Sequence, residues 1–94
     1  MIKETIASLV EEAAQSAQAD GSIPAVALPD ISVERPQRPE HGDYAVNLPL
    51  RLARTARANP LELARAIAAR IEAPQTLESV EVAAPGFLNF RLKA

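Results

Sequence analysis

The chain has 94 residues and a mass of 10.1 kDa, which fits one small domain. Its 10 basic and 12 acidic side chains give a net charge of -2, which argues against a uniformly basic nucleic-acid-binding protein, and the lack of cysteine excludes disulfides and thiolate metal ligands. The sequence contains no signal peptide and no run of about 18 apolar residues, so we expect a cytoplasmic protein with no membrane partner.

The first predicted element is an amphipathic helix that begins at Ile2 and ends near Gly21. Its apolar residues recur at three- and four-residue spacing, which is typical of a helix with one buried face. They are Ile2, Ile6, Leu9, Val10, Ala13 and Ala17. Pro24 and Pro29 then favour an irregular connection, because a proline restricts the residue before it to extended conformations.

Two short strands are predicted next. Residues 31–35 alternate apolar and polar side chains, and residues 42–46 offer a second strand. The loop between them contains two prolines and a glycine, so we expect no regular structure there. The two strands are expected to pair antiparallel.

Two further helices follow. One is predicted over residues 48–56, with Asn47 as its N-cap. The next has stronger signals, because Asn59 can cap it, Pro60 fits its first position, and Pro74 ends it. Its predicted buried stripe comprises Leu61, Ala64, Ile67, Ala68 and Ile71.

The chain closes with two strand-like runs separated by Pro85 and Gly86, which predict a hairpin. The elements together predict a single α+β domain over residues 1–94. We expect a small, largely antiparallel four-stranded sheet with about three helices packed on one face. The other face is then left toward solvent, where a functional surface can lie.

Catalytic groups are scarce. His41 is the single histidine, and no serine or threonine lies near it in sequence to act as a nucleophile with Asp43. We therefore expect no catalytic residue, and we interpret His41, Gly42, Asp43 and Tyr44 as a structural loop. One imidazole and isolated glycines predict no metal site, no cofactor and no small-molecule substrate in this chain.

The last strand carries the strongest functional pattern. Its two-residue period places Phe87, Asn89 and Arg91 together, on the face opposite its apolar residues. They combine a ring that can stack on a base, an amide that can read a base edge, and a guanidinium that can hold a phosphate, as in single-stranded RNA recognition. The alternative is that Phe87 packs at the sheet edge, Asn89 belongs to a turn and Arg91 is solvated.

The charges are segregated along the chain. Residues 1–34 hold one basic and six acidic side chains, a net charge of -5, whereas residues 35–70 hold seven arginines and three acids, a net charge of +4. The candidate phosphate-binding residues in the basic part are Arg35, Arg38, Arg51 and Arg54. A solvated helix face combined with a compositional preference for arginine is the alternative.

The segment HGDYAVNLPLRLARTARANPLELARAIAARI, followed by VEVAAPGFLNFRL, resembles the N-terminal additional domain of arginyl-tRNA synthetases. The likeness is compound, because the HGDYA loop and strand, the NP helix start and the closing PGFLNF strand occur in the family's order and spacing. It extends from about Pro36 to the end of the chain, and the leading helix and first strand fit the family's layout.

The resemblance implies an RNA-binding module of an arginine–tRNA ligase, an aminoacyl-tRNA synthetase of protein biosynthesis. Such a module binds the D-loop at the outer corner of tRNA(Arg) and positions it for ATP-dependent arginylation by a separate class I catalytic domain. The implied base-reading positions are Phe87, Asn89 and the position of Ala84. Alanine departs from the polar residue expected there, so base discrimination is looser or rests on Asn89 and backbone groups.

The catalytic signatures of such a ligase, of the HIGH and KMSKS types, are missing from this sequence. ATP and Mg are therefore expected in the parent catalytic domain, and we expect this chain to be a domain excised from a longer enzyme, without activity of its own. The alternative is a protein-interaction or structural docking module without direct RNA contact, which burial of Phe87 and Asn89 would favour.

Overall fold

The structure is a computed structural model that describes residues 2–93. Within that range the α-helices and strands are α1 (Ile2–Ala19), β1 (Val33–Glu34), β2 (Tyr44–Val46), α2 (Leu48–Ala56), α3 (Pro60–Ala68), β3 (Leu77–Ala83) and β4 (Phe87–Leu92). This confirms the predicted α+β fold. None of the described helices has the length and apolar character needed to cross a membrane.

The four strands form one sheet in the order β1-β2-β4-β3, and all three pairings are antiparallel. The predicted hairpin is present, since β3 and β4 pair along their length with Ala83 opposite Phe87. On its other side β4 pairs with β2, where Tyr44 lies opposite Phe90. The strand that carries the predicted RNA-binding residues is therefore an interior strand, held by hydrogen bonds on both edges.

The core lies between the sheet and the helices. Alternation along the strands turns Val46, Leu88 and Phe90 toward the helices, and all three are fully buried. The helices contribute the fully or almost fully buried side chains Ile6, Val10, Leu52, Leu63, Ala64 and Ile67. All three helices pack on this face, as predicted, and the other face of the sheet is uncovered.

The third helix differs from its prediction in length and at one buried position. α3 ends at Ala68, well before Pro74, because the chain tightens into a turn in which the Ile71 N–H donates to the Ala68 carbonyl at 3.1 Å. Leu63 is buried, whereas Leu61 in the first turn is half-buried. Burial of Ala64 and Ile67 confirms the centre of the predicted stripe, and Leu63 takes the buried place that was predicted for Leu61.

The two predicted caps have different outcomes. The Asn59 side chain accepts hydrogen bonds from the N–H groups of Leu61 at 2.9 Å and Glu62 at 3.2 Å, so it caps α3 as predicted. The prediction that Asn47 caps α2 was wrong, because its side chain makes no capping hydrogen bond. In the first turn of α2, the N–H of residue 50 instead donates to the Gly86 carbonyl at 3.1 Å.

The segment before β2 is more ordered than the sequence suggested. Residues Pro39–His41 form one turn of 3-10 helix, where no regular structure was expected. The following residue, Gly42, has φ +112°, and β2 begins only at Tyr44. β1 is likewise shorter than predicted, with only Val33–Glu34 in the ladder.

Candidate nucleic-acid interface

The uncovered face of the sheet carries a groove of about 650 Å³. A row of paired residues crosses this face, one on each strand, with Glu34 opposite Ala45, Ala45 opposite Asn89, and Asn89 opposite Glu81. The first three residues form the floor of the groove, and Glu81 lies beyond its lining. Opposed residues of antiparallel strands share a face, so these four side chains stand side by side across the sheet. The small Ala45 makes the floor concave beside Asn89.

A second row contains Phe87. Ala83 lies opposite Phe87 on β3, and the register of β2 and β4, continued by one residue, brings Asn47 opposite it on the other side. Phe87, Asn47 and Ala83 all line the groove. With small side chains beside it, the Phe87 ring is only half-buried. The row therefore offers an aromatic surface to the groove.

The turn before Phe87 is fixed against the helices. Gly86 is buried, and a Cβ atom on it would lie 2.7 Å from the Pro60 Cβ atom and 3.1 Å from the Leu50 nitrogen. A Cβ atom essentially never lies within 3.0 Å of another heavy atom, and the Pro60 Cβ atom is held in its ring, so a side chain larger than that of glycine would force the starts of α2 and α3 to move. The close packing holds the start of β4, and with it Phe87, at a defined position.

Asn89 lies at the bottom of the groove and is 9% exposed. Its amide makes no hydrogen bond to any residue in the range 2–93. Within the same range, no side-chain nitrogen or oxygen that is sealed from solvent lacks a partner, so the amide opens into the groove. Buried amides in proteins are normally hydrogen-bonded. Asn89 therefore holds donors and an acceptor ready for an external group.

One wall of the groove is the segment between β1 and β2. The residues of this segment that line the groove are Arg35, Pro36, Gln37, Arg38 and His41. Arg38 and His41 are exposed, and the Arg38 guanidinium makes no hydrogen bond or ion pair to any described residue. A cation at this rim is available to a ligand phosphate.

Unlike Arg38, two other arginines that line the groove interact with other residues of the chain. The Arg51 Nη1 group donates to the Asp30 carbonyl at 2.7 Å, and it thereby ties α2 to the segment before β1. The Arg35 guanidinium lies 4.9 Å from the centroid of the Tyr44 ring, at cation–π distance. Arg51 and Arg35 both remain exposed.

The remaining arginines named from the sequence lie outside the groove lining. The Arg91 Nη2 group donates to the Glu40 carbonyl at 3.0 Å and is half-buried. Arg54 is exposed on α2. The structure thus brings Arg35, Arg38 and Arg51 together with Phe87 and Asn89, and it leaves Arg54 and Arg91 apart from them.

The segment from His41 to Tyr44 is joined to β4. A Cβ atom on Gly42 would lie 2.7 Å from the Phe90 carbonyl oxygen, and that oxygen accepts the Asp43 N–H at 2.7 Å. The Asp43 carboxylate accepts the Leu92 N–H at 2.8 Å, and Tyr44 is buried in the core. These contacts fix the wall of the groove to its floor.

The sequence of the chain matches a known protein family. The family model described as "Arginyl tRNA synthetase N terminal domain" matches residues 1–92. The chain belongs to this family.

Curated arginine–tRNA ligases are similar in sequence to this chain over nearly its whole length. The chain is 45% identical over 89 residues to the arginine–tRNA ligase of Dehalococcoides mccartyi strain CBDB1, covering 95% of this chain and 16% of the relative. The corresponding values for the arginine–tRNA ligase of Halorhodospira halophila are 42% over 92 residues, 97% and 16%. The chain therefore spans 16% of the length of these relatives.

Two solved structures show the same fold. The arginyl-tRNA synthetase of Plasmodium falciparum matches with a TM-score of 0.80 at 16% identity, covering 98% of this chain and 16% of that one. The arginyl-tRNA synthetase of Thermus thermophilus matches with a TM-score of 0.70 at 29% identity, covering 99% of this chain and 14% of that one.

Within this family domain, the structure adds one residue to the site predicted from the sequence. Ala84 lies at the groove and offers only a methyl group there, as its identity implied. Asn47 also lines the groove and was missed, because an asparagine before a proline-containing helix start was interpreted as a cap. The available signal was strand alternation, which puts Asn47 on the same face as Ala45.

Among the described residues, no group of three or more histidine, aspartate and glutamate side chains is placed to hold a metal ion. The pKa of Asp20 is lowered to about 2 by hydrogen bonds from Ser22 and then from Arg70. Arg70 also forms an ion pair with Asp20, which joins the end of α1 to the end of α3, away from the groove.

Proposed function

We propose that this domain binds tRNA through the uncovered face of its sheet. An unpaired base stacks on Phe87 and meets the Asn89 amide, while Arg38, Arg51 and Arg35 hold the flanking phosphates. Following the family resemblance, the base belongs to the D-loop of tRNA(Arg). The observation that carries this proposal is the unpartnered Asn89 amide in the same groove as a half-buried aromatic ring.

The chemistry of the groove favours a base over other ligands. Unstacked bases in single-stranded RNA are bound by aromatic stacking combined with hydrogen bonds to a base edge. Phe87 and Asn89 are two residues apart on one strand, so their side chains leave the same face about 7 Å apart. A base stacked on the ring can therefore direct its polar edge toward the amide.

The charges of the groove favour one orientation of the ligand. Glu34 and Glu81 lie in the same row as Asn89, on β1 and β3, and both are exposed. A phosphate at the floor would be repelled by these carboxylates, whereas a neutral base would not. The exposed arginines lie at the wall and rim, where phosphates on either side of an inserted base would be.

The proposal assigns arginylation, with its ATP and Mg, to a separate catalytic domain of a longer ligase. This domain would contribute by positioning tRNA, so its binding energy would be seen mainly in tRNA affinity. A cytoplasmic location remains a prediction. Positioning tRNA requires no catalytic group in the groove.

The proposal is tested by titrating labelled tRNA(Arg) against the protein and against Phe87→Ala at two salt concentrations. Loss of one stacking platform costs about 1–3 kcal/mol, so the Kd should rise by about 5- to 150-fold. Binding of the unsubstituted protein should also weaken as salt rises, because phosphate contacts release counterions. Unchanged affinity in Phe87→Ala, or affinity independent of salt, would exclude this mode of binding.

The chain offers a matched pair of arginines for the phosphate contacts. Arg38 lies at the groove, whereas Arg65 is exposed on α3 and does not line it. Arg38→Ala should weaken binding and reduce the slope of log K against log salt by about one, and Arg65→Ala should do neither. Equal effects would indicate non-specific attraction to the whole surface.

The docking alternative draws support from the low exposure of Asn89, 9%. A purely structural asparagine at that depth would be expected to spend its amide on internal hydrogen bonds, and this one does not. If tRNA fails to bind the isolated domain at low salt, and Phe87→Ala instead weakens its association with the catalytic part of the ligase, the docking function is the correct one.

A further inference from the structure

Asn47 has the features of a ligand-binding residue that a helix cap lacks. It lies at the junction of β2 and α2, with φ -104° and ψ 20°, and its side chain accepts no hydrogen bond from the α2 backbone. Its amide makes no hydrogen bond to any other residue in the described part of the chain. It lines the groove together with Phe87 and Asn89.

We propose that Asn47 is a second base-reading residue of this groove, which supplies from the junction of β2 and α2 the polar contact that Ala84 cannot supply from the hairpin turn. The inference rests on the proposed function, since it names a further specificity-determining residue of the same site. It adds a contact on the opposite side of Phe87 from Ala83 and Ala84.

The register of the sheet places Asn47 within reach of the same base. Val46, the last residue of β2, lies opposite Leu88, so Asn47, which follows it, is directed to the position opposite Phe87. Directly opposed side chains have Cβ atoms about 5 Å apart, and diagonal neighbours such as Asn47 and Asn89 lie about 7–8 Å apart. A base stacked on Phe87 is therefore bordered by two amides, one on β4 and one just beyond the end of β2.

Two amides discriminate between bases better than one. Each amide carries one acceptor oxygen and an NH₂ group with two donors, and the edge of each base presents its own sequence of donors and acceptors. Two amides at fixed positions can match that sequence at two points, whereas Asn89 alone can rotate its amide to suit more than one base. Asn47 should therefore contribute to base selectivity as well as to affinity.

The chain provides a structural control, because Asn47 and Asn59 hold equivalent N-cap positions. Asn59 accepts two backbone hydrogen bonds and Asn47 accepts none. Asn59→Ala should lower Tm by about 4–8 °C, as expected for the loss of a cap in a domain of this size. Asn47→Ala should change Tm by less than about 2 °C.

The binding experiment compares this protein with Asn47→Ala, Asn59→Ala and Phe87→Ala, using tRNA(Arg) transcripts in which each unpaired D-loop nucleotide is changed in turn. The unsubstituted protein should prefer one base at one position. Asn47→Ala should raise the Kd for the preferred transcript by at least about fivefold and reduce its preference over the other bases. Asn59→Ala should keep both affinity and preference, measured well below its Tm.

The outcomes separate the two proposals. If Phe87→Ala weakens binding and Asn47→Ala keeps full affinity and preference, the role of Asn47 is refuted and the proposed function stands. If Asn47→Ala lowers Tm as much as Asn59→Ala, the amide is structural, which also refutes it. If neither Phe87→Ala nor Asn47→Ala changes tRNA binding, or the unsubstituted protein does not bind, the proposed function and this inference both fail.

Discussion

Replacing Gly42 by alanine is expected to destabilise the domain by about 3 kcal/mol. Gly42 has φ +112° and ψ -165°, in a region of backbone conformation that is open almost only to glycine. A Cβ atom there would also lie 2.7 Å from the Phe90 carbonyl oxygen, which is backbone in the central part of the sheet. The substitution therefore meets both backbone strain and a contact that no side-chain rotation can relieve.

The magnitude follows from these two effects. The backbone conformation costs about 1–3 kcal/mol for a residue with a Cβ atom. Relief of the contact requires the loop to move away from β4, which weakens the 2.7 Å hydrogen bond from the Asp43 N–H to the Phe90 carbonyl. A hydrogen bond of this kind contributes about 1 kcal/mol. Together they lower Tm by about 12–24 °C in a domain of this size.

Urea unfolding followed by circular dichroism measures the difference, and Gly21→Ala is the matched control. Gly21 also has positive φ, +82°, but a Cβ atom there meets nothing within 4 Å. Its replacement should therefore cost only the left-handed conformation, about 1–2 kcal/mol. Equal losses for Gly42→Ala and Gly21→Ala, within about 0.5 kcal/mol, would refute the contribution assigned to the contact with Phe90.

Three further predictions concern contacts away from the ligand. The folded pKa of Asp20 is about 2, below its ordinary 3.8, so its stabilising contribution is present above about pH 4 and is lost as pH falls through 2. The stability difference between the protein and Asp20→Asn should therefore shrink between pH 5 and pH 2 in urea titrations. A stability difference that stays constant over that range would contradict the lowered pKa. Asp43→Ala removes the acceptor of the Leu92 N–H and should cost about 1–2 kcal/mol by the same method, with no loss indicating that water replaces the carboxylate. Phe90→Ala empties a fully buried position and should cost about 3–5 kcal/mol, and a loss below about 1 kcal/mol would mean that the core is not packed as described.

The sequence was most informative where a local signal and the tertiary structure agree. The first N–H groups of a helix need acceptors, which makes the Asn59-Pro60 signal local to α3. The Asn59 side chain provides the acceptor for two of these N–H groups. The Pro85-Gly86 turn likewise divides two alternating runs that pair as a hairpin. The two-residue period of β4 also placed Leu88 and Phe90 on one face and Phe87 on the other. Pairing of β4 on both edges fixes the two faces in the sheet.

Other features depend on contacts that local patterns do not contain. Asn47 has the local signature of a cap, but its place opposite β4 puts its side chain in the groove, and Gly86 provides an acceptor for the α2 backbone. Arg51 belongs to the basic part of the sequence, yet its hydrogen bond to the Asp30 carbonyl depends on a segment 21 residues away. Burial of Leu63 in place of Leu61 depends on the angle at which α3 packs, which helical periodicity alone does not fix.

The most direct test of base stacking on Phe87 is the fluorescence of a Phe87→Trp variant during titration with tRNA(Arg). The chain contains no tryptophan, so this residue would be the single indole reporter, and it lies in the groove. A base stacked on the indole should quench its emission in a saturable and salt-dependent way, and a fully paired RNA duplex of equal length should leave it nearly unchanged. Equal quenching by tRNA and duplex, or tRNA binding without quenching, would contradict insertion of an unpaired base at Phe87.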